Sequence, residues 1–421
     1  AKISNPGRAF VKIGEDDVYE EVQSFWSGSP YYPTRGKQDT SFVPISRIEL
    51  NGKRIPCEYV EKNRCEASHE AEIDVVVKTI IDYCKTHGVP EAEKVWPDRL
   101  PERLVLTELL VNSFDGKRWP GTQKIAPVIG LIDDPTNQRQ YPMELDFAQR
   151  GHVVIYGAPV TGKTTLLQTL IMSTAVTRKP DEVSIYVVDF GGWSMSVLKD
   201  LPHVGGIAND NEPERLKKLV LLLSDMLQER KEKFSKAAVG NISAYRDSTG
   251  EKLPDVLLVV DNFGAMIKMY PDLDTFFITL TSSGANYGVY MVATATAINT
   301  VPMKISQNIR SVLALQMISK SDYTYTVGKV SSELPAIMGR GYTKGNPPLE
   351  FQTALPAPGQ DDKAVSDSIR KIITSIQNAW KGGLPDMIPE MPEAIPYGSI
   401  KTNGIALGLS VDKVQPLAYD Y

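Results

Sequence analysis

The stretch "HVVIYGAPVTGKT", residues 152–164, constrains the fold of this chain more than any other. A short β-branched run reaches a turn containing Gly157 and Gly162, and "KTTLLQTLIMSTAV" (163–176) continues at helical spacing. The loop "GAPVTGKT" (157–164) matches G-x-x-x-x-G-K-[ST] and stands where that pattern has physical meaning, between a buried strand and a helix. Gly157 and Gly162 let the backbone curl so that its N–H groups converge on phosphate oxygens. Lys163 adds a point charge, Thr164 offers a hydroxyl to Mg²⁺, and the helix turns its positive dipole end to the same anion. The sequence therefore predicts a nucleotide site.

The pattern continues on both sides of that loop. "EVSIYVVDFGG" (182–192), "DVLLVVDN" (255–262), "YGVYMVATAT" (287–296) and "SVLALQM" (311–317) read as further buried strands, and residues 212–238 as a long charged amphipathic helix. Apolar strands alternating with helices predict an α/β fold with a mostly parallel central sheet covered on both faces. Asp261 ends the run "VLLVV", where a carboxylate can hold Mg²⁺ through water; capping a turn is the other use of an Asp at a strand end.

A length of 421 residues implies two or more structural units. The formal net charge of −5 weighs against a large nucleic-acid surface. Cys57, Cys65 and Cys84 form no C-x-x-C and read as free thiols, and His69, His87, His152 and His203 show no metal-ligand spacing. No apolar run approaches the roughly 20 residues that span a bilayer, and no signal peptide is visible. The chain opens on Ala1 and reads as a fragment of a longer protein, so any anchor lies elsewhere.

The flanks repeat each other. "GRAFVKIGEDDVYEEVQS" (7–24) parallels "GRGYTKGNPPLEFQT" (339–353), with Arg8 matching Arg340, Lys12 matching Lys344 and "EVQS" matching "EFQT". Residues 75–104 parallel 368–395, and "VIGLIDD" (128–134) parallels "ALGLSVD" (406–412). Three matches in one order predict a tandem array. Residues 1–29 are then the tail of a preceding domain, and 30–124 a linker region with an insertion and a helical, Pro-containing segment. Residues 125–355 are a complete domain, 356–404 a linker and 405–421 the first strand or strands of a following domain.

With these residues in view, the chain resembles the FtsK/SpoIIIE family of hexameric ATPases. Within it, the chain is similar to the tandem ATPase domains of the type VII secretion ATPases, the EssC/YukB/EccC group. The resemblance rests on "GIANDNEPERLKKLV" (206–220), "ERKEKFSKAAVGNISAYRD" (229–247), "LTSSGANYGVYMVATAT" (280–296) and "PGRAFVKIGEDDVYEEVQSFWSG" (6–28). It implies RecA-like domains in series on the cytoplasmic face of the bacterial membrane, in a membrane-anchored, hexameric parent. The implied partners are neighbouring ATPase domains of the same chain, other secretion-system membrane components and exported Esx-type helical hairpins. The implied cofactors are ATP and Mg²⁺. The expected nucleotide contacts are Gly157, Ala158, Pro159, Val160, Thr161, Gly162, Lys163, Thr164, Thr165 and Asp261, with Thr164 and Asp261 holding the metal.

Active members of the wider family carry an acidic residue after the magnesium Asp, and a Gln at the end of the next strand. Here those positions are Asn262 and Ala295. An amide can orient water but cannot accept its proton, and loss of a general base typically costs about 10²–10⁴ in rate. The expectation is a domain that holds ATP tightly, hydrolyses it weakly or not at all, and regulates domain packing or export. Asp189, at the end of "SIYVV", is either a substitute base or a turn-forming Asp. Arg310 in "QNIRSVLAL" is either an arginine finger toward a neighbouring subunit or a surface arginine. Two alternatives stand beside this reading, an active FtsK-type DNA translocase and a purely structural linker between motor domains.

Overall fold

The structure is a computed structural model. It describes residues 5–13, 18–24, 26, 28–31, 46–56, 70–90, 97–121, 124–330, 332–396, 398–400, 405–411 and 414–419. Cys57, Cys65, His69 and much of the first part of the linker region 30–124, residues 32–45 and 57–69, lie outside the described residues. The chain divides into two compact units, Ala1–Lys94 and Val95–Tyr421.

Among its described residues the first unit holds two antiparallel hairpins, β1 (Arg8–Ile13) with β2 (Val18–Gln23) and β3 (Ser46–Ile48) with β4 (Arg54–Pro56). A helix, Glu72–Thr86, follows. It is amphipathic by sequence, yet Ile73, Val76, Val77, Ile80 and Ile81 are all exposed.

The second unit is built on one ten-stranded sheet. Its strands are β5 (Val128–Asp134), β6 (Arg139–Glu144), β7 (Val153–Tyr156), β8 (Val183–Asp189) and β9 (Val204–Asn209). β10 (Asp255–Asp261), β11 (Val289–Ala295), β12 (Ser311–Leu315), β13 (Arg340–Thr343) and β14 (Glu350–Thr353) complete it. The spatial order is β6-β5-β14-β13-β12-β7-β11-β10-β8-β9. From β12 to β9 every pairing is parallel; from β6 to β12 every pairing is antiparallel. The expected mostly parallel α/β sheet is therefore present, extended by an antiparallel wing.

Every residue of β7, β8, β10 and β11 is buried, which requires cover on both faces. The two-residue period of the strands sorts that cover. Leu257 and Val259 face the phosphate-loop helix, Lys163–Thr177, through Leu166, Leu170 and Ile171. Val256, Leu258 and Val260 face the helix Pro213–Lys236 through Leu216, Leu219, Leu223 and Leu227. Residues on both sides of 125–355 enter the first of these cores. Leu104 and Leu106 join from one side, and from the other come Val365, Ile369, Ile373 and Ile376 of the helix Asp362–Ala379, whose N-cap Asp361 accepts from the Ala364 N–H. Beyond that helix, Ile388 is buried and donates its N–H to Gly205 O, while Tyr186 Oη donates to Asp386 O. The last described strands, β15 (Ile405–Leu409) and β16 (Pro416–Tyr419), form an antiparallel hairpin.

The internal repeat has a structural counterpart. Arg8 stands opposite Gln23 in β1–β2 as Arg340 stands opposite Gln352 in β13–β14. Arg8 reaches Gln23 Oε1 (3.4 Å) and Glu21 Oε1 (3.5 Å); Arg340 reaches Gln352 Oε1 (2.8 Å) and Glu350 Oε1 (2.8 Å). The two arginines share these cross-strand partners, while Arg340 is buried and bonds the carbonyls of Leu100 and Pro101 as well.

Candidate functional site

β7 ends at Tyr156, and the next six residues wrap back before the helix begins at Lys163. Two of them take left-handed backbone, Gly162 at φ 95° and the exposed Val160 at φ 62°. The loop is pinned to its neighbours by backbone bonds. Gly157 N–H donates to Ala295 O (3.1 Å), Ala158 N–H to Gln316 O (2.7 Å) and Gly339 N–H to Thr161 O (2.9 Å). A Cβ at Gly157 would meet Thr161 Oγ1 at 2.7 Å, and one at Gly162 would meet Gly339 N at 3.0 Å. Lys163 folds over this cradle and donates to Gly157 O (2.8 Å) and Ala158 O (2.7 Å). Burial lowers the Lys163 pKa, opposed by the negative charge of Asp261.

The carboxylate arrives by strand register. β10 runs parallel to β8 with Asp261 beside Asp189, and parallel to β11 on its other side. Asp261, only 2% exposed, accepts from Thr164 Oγ1 (2.6 Å) on Oδ2 and from Thr294 Oγ1 (2.5 Å) on Oδ1. The Thr294 hydroxyl also accepts the Asn262 N–H (2.8 Å). Thr164 and Asp261 therefore set two hard oxygen donors side by side at the end of the phosphate loop. That donor set fits Mg²⁺ with a nucleotide's phosphates.

Asn262 and Asp189 lie beside this centre, each with hydrogen-bonding partners. Asn262 is left-handed (φ 60°, ψ 57°) and its side-chain amide donates to Phe190 O (3.2 Å). Asp189 is fully buried, and its two oxygens accept the Gly191 N–H (2.9 Å) and the Met195 N–H (3.1 Å). That geometry is a turn cap. Arg310 is exposed and precedes the first residue of β12, which pairs in parallel with Val153 at the start of β7. It thus stands at the sheet edge opposite its own phosphate loop, while the other named residues gather at the loop.

Three positions escaped the sequence reading. Thr294 is a fully buried hydroxyl in an otherwise apolar strand end, and that mismatch is the signal that marks it. At Gly191 a Cβ would stand 2.2 Å from Asp261 Oδ2, so this turn passes too close to the carboxylate for a side chain. Thr353, at the end of β14, is buried with its hydroxyl unpartnered among the described residues.

Comparison with known proteins agrees with this geometry. A family profile described as "FtsK/SpoIIIE family" matches residues 111–345. The type VII secretion system protein EssC of Staphylococcus aureus is 27% identical over 431 residues, spanning 100% of this chain. The ESX secretion system protein EccC of Geobacillus thermodenitrificans is 26% identical over 435 residues, spanning 99% of it. The chain spans 29% and 28% of the length of those two proteins. Among solved structures, EssC (ATPases 2 and 3) from Geobacillus thermodenitrificans superposes with a TM-score of 0.69 at 25% identity, over 77% of this chain and 62% of that one. Thermomonospora curvata EccC (ATPases 2 and 3), in complex with a signal sequence peptide, gives a TM-score of 0.67 at 29% identity, over 77% and 61%.

Proposed function

The chain belongs to the FtsK/SpoIIIE family, and on that premise we propose that its second unit is a nucleotide-holding domain of a type VII secretion ATPase. It binds Mg·ATP firmly, turns it over slowly or not at all, and uses occupancy to set how the domain packs. The phosphate cradle of residues 157–165 would hold the triphosphate, with Thr164 and Asp261 holding the metal. Bound Mg²⁺ would supply charge neutralisation for the phosphates.

The observation that carries the reading is the state of the side chains around the cradle. Asn262 commits its amide to Phe190 O, Asp189 commits both oxygens to backbone N–H groups, and Asp261 is engaged by two threonines. Of the two positions from which a base was expected, Asn262 carries an amide and Asp189 a carboxylate already committed to backbone donors. A ligand that binds one packing arrangement better stabilises it, so tight binding without turnover suffices for regulation.

The matched hairpins around Arg8 and Arg340 support a tandem arrangement with neighbouring ATPase domains on either side. We extend the proposal to a membrane-anchored, hexameric parent on the cytoplasmic side, with Esx-type helical hairpins as cargo and Arg310 acting only on a neighbouring subunit. Among the described residues no helix is long and apolar enough to cross a membrane.

The test is to purify the chain without added nucleotide, identify what it carries, and assay turnover beside Lys163→Ala and Asn262→Glu. Co-purified ATP with negligible turnover, lost in Lys163→Ala and gaining turnover in Asn262→Glu, is the expected result. Robust turnover by the unaltered chain, abolished in Lys163→Ala, overturns it.

A further inference from the structure

Asp189 and Asn262 spend their hydrogen bonds on one short segment, the turn from Phe190 to Met195 that follows β8. Asp189 accepts the N–H groups of Gly191 and Met195, and the Asn262 amide donates to Phe190 O. Phe190 N–H donates to Asp261 O (3.1 Å), and from the phosphate-loop helix Gln168 Nε2 donates to Ser194 O (2.9 Å). Bonds from the ends of β8 and β10 and from that helix thus converge on a single turn. They press it onto the metal corner, where Gly191 lies too close to Asp261 Oδ2 for any side chain.

Trp193 stands at the crest of this turn. Gly192 and Trp193 both take left-handed backbone, at φ 111° and 68°. Glycine adopts it freely; a bulky residue rarely does, and residues held in that way cluster at ligand clamps. The conformation is fixed by the Trp193 carbonyl, which accepts both the Ser196 N–H (3.2 Å) and the Ser196 hydroxyl (2.7 Å). The ring itself is 47% exposed, and its indole N–H has no partner among the described residues. The indoles of Trp119 and Trp380, by contrast, donate to Ala175 O (2.9 Å) and Gly383 O (3.0 Å). Two residues of chain span at most about 7 Å, so the Trp193 backbone stays close to Gly191 and the ring is within reach of the metal corner. A metal held there bridges the β- and γ-phosphates, which brings the terminal phosphate to the same place.

We propose that Trp193 is a specificity residue for the terminal phosphate: the turn presents its indole N–H to a γ-phosphate oxygen, and the ring covers that corner. A diphosphate lacks the oxygen and leaves the ring where it stands. The inference rests on the nucleotide-binding reading above and deepens it, assigning a preference for triphosphate to a residue outside the phosphate loop.

The experiment uses the full chain stripped of co-purified nucleotide and titrated with Mg·ADP or with the magnesium complex of β,γ-imido-ATP, which is not hydrolysed. Affinity is measured by calorimetry for the unaltered protein, Trp193→Phe and Trp193→Gly. Trp193→Phe keeps a ring and removes the N–H; it should weaken the triphosphate about ten-fold and leave ADP unchanged. Trp193→Gly suits left-handed backbone, so it should melt no lower than the parent and yet show the same loss, which a merely structural role would not produce. The emission of Trp193, taken as the difference between the parent and Trp193→Phe, should shift with the triphosphate and not with ADP. Equal effects on both ligands, no effect on either, or an emission change that ADP matches overturns the assignment while the nucleotide-binding reading stands. If neither ligand binds the unaltered chain, both proposals fall together.

Discussion

Thr294 is the residue on which the geometry around Asp261 most depends, and its removal can be worked through in advance. Its hydroxyl donates to Asp261 Oδ1 at 2.5 Å and accepts the Asn262 N–H at 2.8 Å. Thr294→Val keeps the shape and deletes both bonds. A hydrogen bond to a buried carboxylate contributes about 1.5–3 kcal/mol, and leaving the partly buried Asn262 N–H without an acceptor adds about 1 kcal/mol. Asp261 keeps Thr164 on its other oxygen, so the expected loss stays near 3 kcal/mol and does not reach the cost of stripping a carboxylate entirely. In a domain of this size that corresponds to a fall in Tm of roughly 5–10 °C. Thr294→Ser, which restores the hydroxyl and loses only a methyl group, should recover most of it. The assay is thermal unfolding of the nucleotide-free chain followed by circular dichroism. A Thr294→Val protein that melts within about 2 °C of the parent, or a serine variant no better than valine, would show that the hydroxyl does not hold this corner together.

Other perturbations follow from the same geometry. Gly191→Ala places a methyl group where Asp261 Oδ2 now stands, 2.2 Å from the added carbon; it should disturb the Thr164–Asp261 bond, lower Tm and weaken Mg·ATP binding about ten-fold or more, and unchanged affinity by calorimetry would remove Asp261 from the metal site. His152 and His203 are buried, and desolvation pulls both pKa values down to about 4. Below the ordinary value near 6.5 the unfolded chain takes up protons that the folded chain refuses, so stability falls as pH drops from about 6.5 toward 4, by roughly 2 kcal/mol per histidine at pH 5. A Tm unchanged between pH 7.5 and 5 would contradict that. Arg340 is 4% exposed and bonds Gln352, Glu350 and the carbonyls of Leu100 and Pro101. Arg340→Lys, which cannot supply that fork, should cost about 2–4 kcal/mol. Arg8→Lys, at a side chain 43% exposed in the matching hairpin, should cost less than about 1 kcal/mol in the same unfolding assay.

The parts of this protein that are legible in the sequence are those in which local pattern and local physics coincide. The loop 157–164 is one, because its glycines, lysine and threonine act within one turn of backbone. The strands β8, β10 and β11 are others, since a strand buried on both faces must be apolar throughout. The repeat of Arg8 and Arg340 is visible in one dimension because both hairpins use the same cross-strand partners. The antiparallel wing was not legible, since β14 pairs with β5 across more than two hundred residues and β6, at its margin, mixes exposed with buried positions.

The sequence by itself determined the groups on offer: the loop 157–164, a carboxylate at the end of β10, and an amide in the position after it. It also showed Arg8 and Arg340 in matching sequence contexts, "GRAF" and "GRGY". Tertiary structure alone decided what each group does. It turned the Asn262 amide to Phe190 O, filled Asp189 with backbone donors, left Thr353 unpartnered beside the loop, and set Arg310 at the far edge of the sheet. The physical reason is that a side chain's role depends on which hydrogen-bond partners and how much water surround it. Both are set by segments distant in the chain, as when Arg340 takes its last two bonds from Leu100 and Pro101.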